Sequence, residues 1–255
     1  MLSKNQIKYI NSLKIKKFRQ QHQAFIVEGT KSVLELLNSD FEIEMVVATD
    51  EFLQKYGSNR STRTTQWIMA SPGEMDRVGA FQTNDSCLAV AKTKDNDFLC
   101  VEQGEYALML DDVRDPGNLG TIFRIADWYG ISKVICSENT TDLYNPKVVA
   151  ASKGSFTRVK VYYTSLPEFI QNHCATTPLI GAFLGGSSLY EYTFPTRGGY
   201  IVMGNESQGI GAEVGSHVKD RVTIPRFGEA ESLNVGIATA ILCDHLRRQQ
   251  SLEEK

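Results

Sequence analysis

The second half of the chain carries an alternation of two periods that very few architectures can satisfy. Short apolar runs rich in β-branched residues stand at "YALML" (106–110), "KVIC" (133–136), "RVKVYY" (158–163), "PLIGAF" (178–183), "YIVMG" (200–204) and "RVTIP" (221–225). Helical patterns separate them at "LGTIFRIADWY" (119–129), "PKVVAAS" (146–152), "LPEFIQNH" (166–173) and "GAEVGSHV" (211–218). A longer one, "SLNVGIATAILCDHLRRQ" (232–249), closes the series. Strands that are apolar along their whole length are buried on both faces, and helices between them cover those faces. The fold class is therefore α/β, a parallel sheet with helices on both sides.

The first half is a smaller α/β unit. Ser3 and Gln6 have the spacing of a capping box and open a helix carrying Ile7 and Ile10. "AFIV", "IEMVVA", "TQWIM" and "SCLAVAKT" are strand runs, and "KSVLELL" is a short helix. Ser71, Pro72 and Glu74 mark another helix start. The polar, aperiodic "KTKDNDFLCVEQGE" is the best linker. The expected organisation is a domain over 1–95, a linker over 96–104 and a domain over 105–255, sizes ordinary for domains.

Composition narrows the class. The longest apolar runs fall far short of the roughly 20 residues that span a bilayer, and the N-terminal stretch has no apolar segment of the secretory kind. Five scattered cysteines without a C-x-x-C pair point to reduced thiols and a cytoplasmic protein. Four dispersed histidines disfavour a zinc site, so no metal is expected. The net charge of −3 argues against a protein that coats nucleic acid, yet the charge is uneven. Lys4, Lys8, Lys14, Lys16, Lys17 and Arg19 precede the first acid, Glu28. Such a run alone is a solvated helix face; beside an RNA-handling site it is a phosphate-binding patch.

Ligands of open parallel sheets bind at the carboxyl ends of the strands. Three strands here end in loops of unusual composition: "DDVRDPGNLGTIFR" (111–124), "GNESQGIG" (204–211) and "IPRFGEAESLNVG" (224–236). Taken singly, each has a structural explanation. Gly117 and Gly120 serve a tight turn with Asn118 as helix cap, Arg124 makes a surface ion pair, and Glu206 meets a helix dipole. Ser232 caps the last helix ahead of Asn234, while Ile224 and Leu233 are core. Three such loops at one end of one sheet favour a site. A dinucleotide site is disfavoured because "GNLGTIF" lacks the G-x-G-x-x-G pattern. No glycine-rich turn leads into G-K-[ST], and "GNESQG" is not a hydrolase elbow.

These residues resemble the SpoU (TrmH-like) RNA methyltransferases of the SPOUT superfamily. "DPGNLGTIFRIADWYG", "VMGNESQGI" and "IPRFGEAESLNVGIATAILCDHL" are similar to the family's three motifs, in order, and "NPKVVAASKGS" also resembles the family. "NSLKIKKFRQQHQAFIVEGTKSVLELL" is similar to the substrate-binding domain of many members, so the likeness covers nearly the whole chain. Trp128-Tyr129 departs from the small or single aromatic residue common there. The resemblance implies methyl transfer from S-adenosylmethionine to a ribose 2′-oxygen of RNA, and a homodimer formed by the C-terminal domain. It also implies a deep trefoil knot in a SPOUT-type sheet, a feature otherwise essentially absent from proteins, with a ribosomal-protein-like N-terminal domain.

The same resemblance assigns the residues. Gly204, Ile224 and Leu233 bind the cofactor, and Asn118, Arg124, Glu206, Ser232 and Asn234 form the catalytic set. Arg124 matches the arginine said to activate the 2′-hydroxyl. Because guanidinium keeps its proton, the preferred role is to bind the adjacent phosphate and the developing oxyanion. Ser232 and Asn234 orient the ribose or its phosphate, and Glu206 pins Arg124 or its loop. Lys14, Lys16, Lys17 and Arg19 contact RNA. The added N-terminal domain favours ribosomal over transfer RNA. The alternatives are transfer RNA, a guanosine base methyltransferase of the superfamily and a non-catalytic assembly factor.

Overall fold

Two side chains start the first element. Ser3 Oγ accepts the N–H of Gln6 at 3.2 Å and Gln6 Oε1 accepts that of Ser3 at 2.9 Å, so the capping box opens α1 (Lys4–Ser12) as expected. The computed structural model describes residues 1–57, 64–80 and 86–253. After α1 come α2 (Lys16–His22), β1 (Ala24–Glu28), α3 (Thr30–Leu37), β2 (Ile43–Ala48), α4 (Asp50–Tyr56), β3 (Thr64–Met69), α5 (Pro72–Val78) and β4 (Cys87–Lys92). The sheet order is β1-β4-β2-β3, with β4 antiparallel to both neighbours and β2 parallel to β3. Ile10, Leu13, Ile26, Val47, Leu88 and Val90 form its core, each worth about 1.5–3 kcal/mol on burial. Two short helices go beyond the sequence reading. α2 is almost wholly polar, and α4 is set by Thr49, whose hydroxyl caps the N–H of Phe52.

The second series is β5 (Tyr106–Leu110), α6 (Pro116–Trp128), β6 (Lys133–Ser137), α7 (Pro146–Ser152), β7 (Lys160–Thr164), α8 (Leu166–His173), β8 (Leu179–Ser188), β9 (Gly199–Met203), α9 (Ala212–His217), β10 (Asp220–Thr223) and α10 (Val235–Glu253). All neighbours in the order β10-β8-β9-β5-β6-β7 are parallel. Ala107, Met109, Tyr200 and Val202 lie on one face under Phe169 of α8 and Val214 of α9. The alternate residues Leu108, Leu110, Ile201 and Met203 are equally buried, and α10 lies against both β9 and α6.

The chain divides into two compact units, and the division differs from the one drawn on the sequence. One comprises residues 1–95 together with 142–158, the other 96–141 and 159–255. The excursion 142–158 joins the smaller unit because its apolar side chains are used there. α7 packs on β1, and Phe25 stacks with Tyr144 and Phe156 at centroid separations of 4.6 and 5.9 Å. Arg158 also pairs with Glu35 at 2.5 Å. The expected linker is fixed along the larger unit. Asn96 exchanges two 2.8 Å hydrogen bonds with the backbone of Tyr163, and the N–H of Val101 donates to Tyr200 Oη at 3.1 Å. Among the described residues no helix is long and apolar enough to cross a membrane, and no three His, Cys, Asp or Glu side chains gather as a metal site.

Candidate active site

The loop after β5 makes its turn before the glycines. Asp115, not Asn118, is the N-cap of α6, with Oδ1 accepting the N–H of Asn118 at 2.8 Å, and Pro116 occupies the first turn. The helix thus begins three residues earlier than its apolar pattern suggested, and Gly117 and Gly120 lie inside it. The backbone folds back at Asp112, whose φ of +58° is left-handed. Its side chain pairs with Arg114 at 2.7 Å and its N–H donates to Ser137 Oγ at 2.8 Å.

The loop after β9 is a closed turn. Asn205 and Gly209 exchange N–H···O bonds at 2.9 and 2.8 Å, and Gly209 takes φ +70°. A Cβ on Gly204 would stand 2.1 Å from the backbone of Gly209 and Ile210. The close approach that requires glycine here is by the loop itself. Asn205 Oδ1 accepts the N–H groups of Ser207 and Gln208, and its Nδ2 donates to the Asp112 carbonyl at 2.9 Å.

The third loop, 224–234, has no helix or strand, and none of its backbone groups through 233 pairs with another backbone group among the described residues. It ends at Asn234, which caps α10: Oδ1 accepts the N–H of Gly236 at 2.9 Å and of Ile237 at 3.3 Å. The cap is Asn234 and not Ser232.

Side-chain amides join the three loops. Asn234 Nδ2 donates to Asn118 Oδ1, and Asn118 Nδ2 donates to Glu206 Oε1, each at 2.8 Å. Glu206 thus holds Asn118, a residue of the loop that leads to Arg124, and among the described residues makes no bond to Arg124 itself. Arg124 lies exposed on α6, about 9 Å further along the helix axis than Asn118. Among the described residues it makes no ion pair or side-chain hydrogen bond. Ser232 is exposed, Ile224 is partly buried, and Leu233 is 48% exposed. One residue before Ile224, the buried hydroxyl of Thr223 has no partner among the described residues. The sequence reading gave no role to Asp111, Asn205 or Asp115. The signal for the first was its place directly after a fully apolar strand.

Residues 105–244 match the SpoU rRNA Methylase family. The chain belongs to that family. Its SpoU segment contains all three loops, and residues 4–89 match the MRM3-like substrate binding domain. The 23S rRNA (guanosine(2553)-2′-O)-methyltransferase RlmP of Bacillus subtilis is 30% identical over 247 residues, covering 96% of this chain and 97% of that one. A solved structure from Porphyromonas gingivalis, assigned to the TrmH family of RNA methyltransferases, is 39% identical with TM-score 0.88, covering 98% and 99%. An AdoMet-bound rRNA methyltransferase from Sinorhizobium meliloti is 27% identical with TM-score 0.87, covering 97% and 96%.

Of the basic residues ahead of the SpoU segment, Lys16 and Lys17 are exposed at the start of α2. Lys14 is half-buried and donates to the Gly79 carbonyl at 2.6 Å; burial lowers its pKa against a smaller opposing pull from Glu28. Arg19 departs from the expectation of an RNA contact. It is 4% exposed and donates to the Leu13 carbonyl at 3.0 Å and to Asp142 at 2.9 Å. The acid comes from the 142–158 excursion, so the guanidinium is spent inside the small unit.

Proposed function

We propose that this protein transfers the methyl group of S-adenosylmethionine to a ribose 2′-oxygen of RNA, with ribosomal RNA as substrate. The observation that carries the reading is the Glu206–Asn118–Asn234 chain of hydrogen bonds, which fastens three strand-end loops into one surface in a member of the SpoU family. The names of the relatives support ribose over base and ribosomal over transfer RNA.

The third loop fits the cofactor. Ile224 and Leu233 present apolar walls, and among the described residues the loop between them makes no backbone–backbone bond and the buried Thr223 hydroxyl has no partner, a set suited to a nucleoside. Bound S-adenosylmethionine supplies a methyl group on a sulfonium leaving group. The chain's part is alignment and charge. Glu206 and Asn234 fix the Asn118 amide in one orientation, and Ser232 orients the ribose or its phosphate. Arg124, exposed and permanently charged, holds the phosphate and stabilises the oxyanion as it develops. Asn234, engaged with Asn118 and with the α10 cap, serves as a brace rather than a ribose ligand.

Three further properties belong to the same proposal. The path from edge strand β10 along the strand ends to Asn118 of α6 supports a trefoil knot. A homodimer through the C-terminal domain is supported by Trp128 and Ile237, 81% and 52% exposed on the adjacent helices α6 and α10. The N-terminal domain, ribosomal-protein-like in the proposal, presents Lys16 and Lys17 to RNA in the cytoplasm. The test is transfer of labelled methyl from S-adenosylmethionine to ribosomal RNA from cells lacking the gene, followed by nuclease digestion and mass spectrometry. Label on ribose is expected; label on a base, or no transfer, overturns the reading.

A further inference from the structure

We infer that Asp111 is a positioning residue of this site: its carboxylate clasps the second loop to the end of β5 and so presents Glu206 to Asn118. The N–H of Gly211 donates to Asp111 Oδ2 at 2.7 Å, across 100 residues of sequence. The N–H of Asp111 itself donates to the Met203 carbonyl at 2.8 Å, which continues the β5–β9 ladder to the edge of the loop. Asn205 Nδ2 reaches the Asp112 carbonyl from the other limb. The second loop is thus fastened at both limbs, and Glu206 stands between the two fastenings.

Details of the site agree with a clasp. A Cβ on Gly211 would lie 3.0 Å from Asp111 Oδ2, so glycine gives the carboxylate room. Asp112 adopts its left-handed φ of +58° at the point where the first loop turns towards the second, and such strain persists where the surroundings fix it. Asp111 is half-buried; burial, with a further push from Asp112, raises its pKa against the opposing pull of the Gly211 N–H. A half-buried carboxyl is costly to desolvate, and among the described residues the side-chain hydrogen bond it makes is to this loop.

The kinetic arm of the test rests on the methyltransferase reading, while the structural arm does not. Hydrogen exchange of the full chain, wild type against Asp111→Ala, should show amides of 204–211 exchanging about tenfold faster, the scale of one lost charge-assisted hydrogen bond, with α8 and β4 unchanged. In methyl transfer, Asp111→Ala should lower kcat roughly tenfold to a hundredfold with a small change in KM, as expected for misplaced groups. Because Asp111 acts through Glu206, adding Asp111→Ala to Glu206→Ala should cost no more than about threefold further. Unchanged exchange in 204–211, or fully additive losses, would overturn the inference. Should the alanine variant not fold, Asp111→Asn keeps an acceptor of the same reach, and partial loosening of the same amides is expected. If wild type transfers no methyl, the functional reading fails, and exchange still decides whether the clasp exists.

Discussion

Asn234 uses both ends of its amide: Oδ1 caps α10 through Gly236, while Nδ2 donates to Asn118 Oδ1 at 2.8 Å. One side chain therefore begins the last helix and closes the link to the first loop. Asn118 cannot turn its amide over to suit a changed neighbour, because its own Nδ2 is held by Glu206.

The two roles separate by substitution. Asn234→Asp keeps a good cap but sets an acceptor against the Asn118 acceptor, so stability should change little while kcat falls at least about tenfold. Asn234→Ala should lose the cap as well, about 1 kcal/mol. Thermal denaturation and single-turnover methyl transfer on both variants check the division. Equal activity in wild type and Asn234→Asp would mean that the link is incidental.

Gly204→Ala should be among the most damaging small changes. Its Cβ would meet backbone atoms of Gly209 and Ile210 at 2.1 Å, and backbone cannot swing aside as a flexible side chain can. The turn would open, releasing Glu206 and weakening S-adenosylmethionine binding. Calorimetric titration reads the affinity, and circular dichroism separates local damage from unfolding. Wild-type affinity would show that the second loop plays no part in cofactor binding.

Arg124→Ala should abolish transfer while sparing cofactor affinity. The side chain is exposed and makes no ion pair or side-chain hydrogen bond among the described residues, so its removal disturbs little of the fold. Loss of one donor to a developing oxyanion is worth on the order of a hundredfold in rate or more. Arg124→Lys should recover only a small part, because a point charge does not reproduce the planar fork. A parallel loss of affinity would make the residue structural.

Much of this was legible in the sequence, for stateable reasons. β5 and β9 are apolar throughout, and a parallel sheet buried on both faces is the architecture that uses such runs. The three loops could be grouped because each follows a strand of that sheet. What the sequence could not give was pairing across distance. Asn118 looked like a cap because Asp115, three residues earlier, takes that place only once Pro116 is seen in the first turn. Arg19 looked like a surface charge because its partner, Asp142, lies 123 residues away in a segment whose own pattern placed it with the larger sheet. Glu206 was expected to pin Arg124 or its loop, and its partner is the Asn118 amide of that loop. Long-range polar partners leave no periodic trace.

Acid should weaken the larger unit through Glu105. Burial alone would raise its pKa, but hydrogen bonds from Lys133 at 2.6 Å and from the Glu102 N–H at 3.0 Å outweigh it and hold the carboxyl below the ordinary value. A depressed carboxyl stabilises above its unfolded pKa of about 4.3 and loses that contribution as pH falls through the folded value. Lys133→Met should therefore lower Tm at neutral pH, with the difference from wild type shrinking below about pH 4. A pH-independent difference would assign the effect to packing.

Lys16 and Arg19 sit three residues apart on α2, yet they should behave as different kinds of residue. Lys16 and Lys17 are exposed with no acid nearby in sequence, and each phosphate they neutralise releases condensed counterions. Lys16→Ala/Lys17→Ala should weaken RNA binding and flatten the slope of log affinity against log salt by about 1.4–1.8. Arg19→Met should leave that slope alone. It removes a buried donor from Asp142 and from the Leu13 carbonyl, and since Asp142 keeps 24% exposure the loss is a moderate one, about 1–3 kcal/mol of stability. The measurements belong on the full chain. A fragment beginning near Gly104 would carry 142–158 without β1, leaving Val148 and Val149, buried in the intact protein, without that partner strand. RNA affinity across a salt series, with thermal melts of the same variants, reads both effects. An unchanged slope in the double lysine variant would leave the patch a solvated helix face, and a flattened slope in Arg19→Met would return that residue to the RNA surface.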